Sequence, residues 1–130
     1  MLNPTQFIQD FLKRNHIERP DGRPLYRYSL SASEMEDLRR LLKNNSRYGM
    51  ENPAGRYRWG PLFVLYASAW WREEYQGKWG WERVLDSLDI KHAELPTSSR
   101  NKIVAIGLSY WRRTVRQGPT GRKFLGTIAT

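Results

Sequence analysis

The stretch at residues 60–81, GPLFVLYASAWWREEYQGKWGW, decides how the chain is read. Over residues 61–76, apolar side chains stand on almost every side of a helix with 3.6 residues per turn. Leu62, Leu65, Tyr66, Ala69 and Trp70 share one face, Phe63, Val64, Ala67 and Trp71 lie on its flanks, and only Ser68 and Arg72 form a polar line. A helix that is apolar nearly all round is a central one. Gly77 ends it, and a short helix over residues 81–88 follows with Trp81, Val84, Leu85 and Leu88 inward. Trp70, Trp71 and Trp81 are therefore expected in the core and not on a stacking platform. Trp79, between Lys78 and Gly80, is the ring that periodicity explains least and stays a contact candidate.

On the N-terminal side, Asn3 and Pro4 start a first helix, whose apolar face is Phe7, Ile8, Phe11 and Leu12 and which stops near Asn15. The Pro and Gly residues of ERPDGRPLYRYSL mark a turn. Residues 24–30 then read as extended, a short strand or a strap over the helices. Ser31 and Glu34 form a capping box, with Leu30 and Met35 as its hydrophobic staple. The helix they open buries Met35, Leu38, Leu41 and Leu42. SRYGMENPAGRYRWGP, residues 46–61, is the longest irregular segment, broken by glycines and Pro53. Within it Arg56, Tyr57, Arg58 and Trp59 alternate cation and ring. That pattern suits phosphates and stacked bases, and equally Arg stems lying on rings of the same protein.

On the C-terminal side, DIKHAELPTSS is a loop in which Ser98 or Ser99 caps a fifth helix reaching about Gln117. Ile103, Ile106, Gly107, Tyr110 and Trp111 are expected to face the core. Gly107 costs about 1 kcal/mol against Ala in a helix, which points to a close helix–helix approach there. Arg112, Arg113 and Arg116 fall at the end of this helix, where cations offset the dipole. The expected architecture is all-α: a compact bundle of about five helices around a central Trp-rich helix, with one short extended strap at about 24–30. Residues 1–118 form the helical domain. Residues 119–130 are a Gly-rich tail whose last apolar run, residues 124–129, reads as the start of a following region.

Composition narrows the chemistry. The 130 residues are enough for one domain, and a content of 13% aromatic residues builds a core from few side chains. There is no cysteine, so disulfides and thiolate sites are excluded. His16 and His92 are the only imidazoles, and both read as exposed or as helix-end contacts. Glu73 and Glu74 diverge by about 100° on a helix and cannot pair as acid and base. No phosphate loop, nucleophile elbow or metal motif is present. No catalytic residue, metal or cofactor is therefore expected. The sequence shows no signal peptide and no apolar run long enough for a membrane span, so a cytoplasmic protein is expected.

The net charge is +9, and no acidic residue follows Glu94, whereas Arg100, Lys102, Arg112, Arg113, Arg116, Arg122 and Lys123 do. Such a surface attracts phosphate polymers by counterion release. The candidate nucleic-acid contacts are Arg56, Arg58, Arg112, Arg113, Arg116, Arg122 and Lys123, with Tyr57, Trp59 and Trp79 as aromatic contacts and DNA favoured over RNA. Docking of a protein partner, or self-association, through an exposed aromatic patch is the alternative.

RPDGRPLYRYSLSASEMEDL, FVLYASAWWREEYQGKWGWERVLDSL and GRKFLGTIAT together resemble the N-terminal region of very large bacterial antiphage-defence proteins, the DruH-like family of Druantia type III systems. WWREEY, then Gly, then WGWERVL is the most specific element. The resemblance covers most of this chain and a small part of such a protein. It implies a defence role beside a large helicase subunit, and it supplies no catalytic residue for this region.

Overall fold

The computed structural model describes residues 3–74, 80–118, 121–123 and 127–128. Helix α1 (Pro4–Arg14) begins as its sequence dictates, with the Asn3 side chain accepting the Gln6 N–H at 2.8 Å and Pro4 in the first turn. Phe7, Phe11 and Leu12 are buried. The helix closes at His16, a left-handed residue (φ 63) whose N–H bonds the Lys13 carbonyl.

The strap forms no strand. It carries a 3-10 turn at Leu25–Arg27, which drops Leu25 and Tyr28 into the core. Side chains hold it where a ladder would otherwise be needed. Asn15 accepts the Ser29 N–H at 2.8 Å and donates to the Ser29 carbonyl, Arg14 grips both Ser29 and Glu34, and Arg72 Nη1 donates to the Tyr26 carbonyl at 2.7 Å. Helix α2 (Ala32–Asn44) opens on the expected capping box. Ser31 Oγ accepts the Glu34 N–H at 3.1 Å, and the Glu34 carboxylate accepts the Ser31 N–H at 2.9 Å.

The segment read as irregular is helical. Helix α3 (Ser46–Glu51) and helix α4 (Pro53–Glu74) replace it, so α4 starts two turns before the expected position. Gly55 and Gly60 weaken a helix, and Pro61 has no N–H to return to the Tyr57 carbonyl. Tertiary packing outweighs both. A Cβ on Gly49 would lie 2.1 Å from Trp59 Cγ, and one on Gly55 would lie 2.2 Å from the Tyr48 carbonyl oxygen. The glycines are the condition for α3 to nest on α4.

Helix α5 (Trp81–Ser87) buries Trp81, Val84 and Leu85, and Leu88 follows them inward. Helix α6 (Thr97–Tyr110) starts directly after Pro96 with no side-chain cap, so neither Ser98 nor Ser99 has the expected role. It crosses α4 where the sequence pointed: a Cβ on Gly107 would lie 2.4 Å from the Gly60 carbonyl oxygen. It ends at Tyr110, well before Gln117, because Arg112 turns the chain through a left-handed conformation (φ 58). Two short antiparallel strands follow, β1 (Arg116–Gly118) and β2 (Gly121–Lys123), with Arg116 opposite Lys123. Thr127 and Ile128 are buried, and Ile128 packs into the core.

The result is an all-α bundle, with six helices among the described residues, one more than expected, arranged around α4, which touches each of the other five. Three buried indoles lock it. Trp59 Nε1 donates to the Leu42 carbonyl of α2 at 3.0 Å, Trp71 Nε1 to that of Gly80 at 3.0 Å, and Trp111 Nε1 to that of Pro61 at 2.8 Å. Each ring thus fills volume and also pairs a backbone acceptor from another part of the chain. Trp59, Phe63 and Trp81 stack in sequence, with Trp71 edge-on to Trp81. Trp70 is only half-buried, at the edge of this core.

Candidate nucleic-acid interface

Two helix stripes face each other across a surface groove. On α4, Pro53, Arg56 and Tyr57 stand at i, i+3 and i+4. On α6, Lys102, Ile106 and Tyr110 stand at successive i+4 positions. The Gly60–Gly107 crossing fixes the two helices, and the stripes line the cleft that opens beside it. The groove has two lobes of about 400 Å³ and about 410 Å³ that share Tyr57, Ala105 and Ile106. None of its lining residues is acidic.

Tyr57 is 68% exposed and Tyr110 is 36% exposed, so both rings are accessible. Tyr110 packs edge-on against Trp111 at 5.1 Å, which fixes the ring. Partial burial raises its phenol pKa above the usual 10.0. Arg56 also serves the fold, since its Nε and Nη2 donate to the Met50 carbonyl at 3.1 and 3.0 Å and so cap α3. Lys102 is exposed at the cleft edge.

The sequence-predicted contacts divide. Arg56 and Tyr57 join the groove, and Arg58 is exposed on the same helix. Trp59 does not: it is 1% exposed, hydrogen-bonded and stacked, so it belongs to the core. Tyr57 and Trp59 are separated by about 200° on a helix, so no single face holds both. Arg112 and Arg113 stand directly past the end of α6, where their N–H groups close it on the Ser109 and Leu108 carbonyls at 3.0 and 2.8 Å. They sit in the turn beyond α6, where Arg113 is half-buried with Nη1 donating to the Gly22 carbonyl. Trp79 and the side chains of Arg116, Arg122 and Lys123 lie outside the described residues. Arg100 is half-buried over the Trp81 ring at 5.2 Å, and burial pushes its pKa down.

Four of the late cations have described side chains, and they fall at two places along the chain. Arg100 and Lys102 lie near its start and Arg112 and Arg113 beyond its end, roughly 20 Å along the axis of a helix of this length. Lys102, Ile106 and Tyr110 are additions to the expected site, and the sequence pattern places two of them in the core. Their i, i+4, i+8 spacing is the signal that could have found them. His16 and His92 are exposed. No metal-holding cluster and no helix long and apolar enough to cross a membrane occur among the described residues.

Fold and groove together describe a small helical domain with an open cleft whose lining carries no carboxylate among the described residues. The chain belongs to the YjiT N-terminal domain family, whose model matches residues 2–130. It is 30% identical over 128 residues to Protein YjiT of Escherichia coli (strain K12), an alignment that covers 95% of this chain and 24% of that protein. The chain thus spans about a quarter of the length of the curated relative it matches. No solved structure matches it.

Proposed function

We propose that this chain is a non-catalytic, cytoplasmic N-terminal domain of a bacterial antiphage-defence protein, and that it contacts nucleic acid through the α4–α6 groove and the cations beside it. The defence role, and a large helicase subunit as companion, rest on the sequence resemblance to DruH-like proteins. The observation that carries the nucleic-acid reading is the groove itself: an exposed tyrosine between Arg56 and Lys102, with no carboxylate in the lining, on a chain of net charge +9. Clefts of one charge sign concentrate polyanions, and rings between cations stack bases.

The test is a salt titration of binding to short DNA and RNA strands. Affinity that falls steeply with salt, and falls further in Lys102→Glu, supports the reading. Absence of binding at low salt, or affinity indifferent to salt, sinks it. The apolar floor at Ala105 and Ile106 favours a second reading, docking of the helicase subunit or of a second copy. Co-purification with the helicase, and the solution mass of the chain alone, distinguish it. Partner binding lost in Ile106→Glu but kept in Lys102→Glu assigns the groove to a protein.

A further inference from the structure

Resting on that reading, we infer that the α4–α6 groove takes a single-stranded nucleic acid, with bases stacked on Tyr57 and Tyr110 and phosphates met by Lys102 and Arg56. A duplex keeps its base faces stacked inside and offers the protein only phosphates and base edges. An exposed tyrosine beside an apolar floor has nothing to meet on such a ligand. An unpaired base presents a π-face, and that is what Tyr57 and Tyr110 complement. The two lobes match this use. Each falls within the roughly 300–1,000 Å³ typical of small-ligand pockets, and the lobes meet at Tyr57, so successive bases lie on either side of one ring.

The charges agree. Duplex binding rests on a broad basic face that neutralises several phosphates together. Among the described residues, the late cations lie near the start of α6 and just past its end, and the cations lining the groove are Arg56 and Lys102. Two cations along a cleft suit a flexible strand that follows it. Arg56 commits Nε and Nη2 to the Met50 carbonyl, and its Nη1 has no hydrogen bond among the described residues. That bond also holds the guanidinium in place at the cleft, so little side-chain freedom is lost when a phosphate arrives. The Tyr110 ring is likewise held by Trp111 before any ligand binds.

The experiment is fluorescence polarisation on the full chain with a labelled short single strand of mixed sequence, the same sequence as a duplex, and labelled polyglutamate. The single strand is expected to bind more tightly than the duplex. Tyr57→Ala is expected to weaken the single strand about tenfold, with little change for the duplex, and Tyr57→Phe to retain affinity. Unchanged melting of Tyr57→Ala separates lost stacking from lost folding. Equal, salt-sensitive binding of both nucleic acids that ignores Tyr57→Ala overturns the groove assignment and leaves the broader reading standing. Binding of neither overturns both. Polyglutamate binding as tightly as the strand, with the same dependence on Tyr57, overturns the assignment in favour of an acidic protein segment.

Discussion

Tyr57 and Trp59 stand two residues apart on α4 and meet opposite environments. The Trp59 ring is enclosed by α2, α3 and the Phe63 ring, and its N–H is bonded to Leu42. The Tyr57 ring lies in the open groove toward α6. One helix therefore serves two ends. The sides facing α2, α3, α5 and the α6 crossing fix the fold, and the strip of Pro53, Arg56 and Tyr57 beside that crossing stays open. The difference teaches that aromatic content alone does not mark a site. What marks it is a ring that no neighbour covers.

The largest effect is expected where that division is removed from the buried side. Trp59→Ala deletes a fully enclosed ring and leaves the Leu42 carbonyl without its donor. It is expected to cost about 3–5 kcal/mol, read by denaturant unfolding. Gly107→Ala comes next. It gains helix propensity but drives a methyl into the Gly60 carbonyl, and the helices must separate. A net loss of about 2 kcal/mol is expected in the same assay.

Arg56 stands between the two regions, and Arg56→Met tests whether it serves both. Loss of the bonds to Met50 is expected to cost about 1 kcal/mol of stability, together with weaker strand binding. A variant that loses binding with no change in melting breaks the link between cap and groove. Tyr110→Phe probes the groove wall by pH. Burial raises the Tyr110 pKa, so its contribution is fully present below the usual value of 10.0 and is lost as pH rises through the higher native value. The variant is expected to lose less stability than the native chain when unfolding is measured at increasing pH above about 10. Tyr57→Ala closes the series, with a stability change within about 0.5 kcal/mol.

Local signals carry the outer helices. The capping box at Ser31 and the Phe7, Phe11, Leu12 stripe are contained in a few neighbouring residues, and the structure follows them. The start of α4 carries a local signal, Asn52 accepting the Gly55 N–H at 3.1 Å ahead of Pro53 as Asn3 does ahead of Pro4, but Gly55 and Gly60 read as helix breakers by local propensity. They become helical only because α3 and α6 press against the bare backbone of the glycines. The end of α6 escapes a linear reading for the converse reason. Arg112, and not a glycine, takes the left-handed closing position beside Gly22, so the terminus comes before the residues expected to extend the helix. The groove is half legible. Arg56 and Tyr57 stand out as a cation and a ring. Lys102, Ile106 and Tyr110 belong to it only through the Gly60–Gly107 crossing, which a linear reading does not contain.

Close approach of helices onto α4 sets where this sequence can accept a side chain. Gly80 has open space around it and accepts a side chain without contact. Gly49, Gly55, Gly60 and Gly107 are closed, since any larger residue meets backbone or an enclosed indole at under 3 Å. The constraint at these four positions is the spacing of helices. Gly60 and Gly107 set how closely the groove walls approach, and Gly49 and Gly55 set how closely α3 approaches α4.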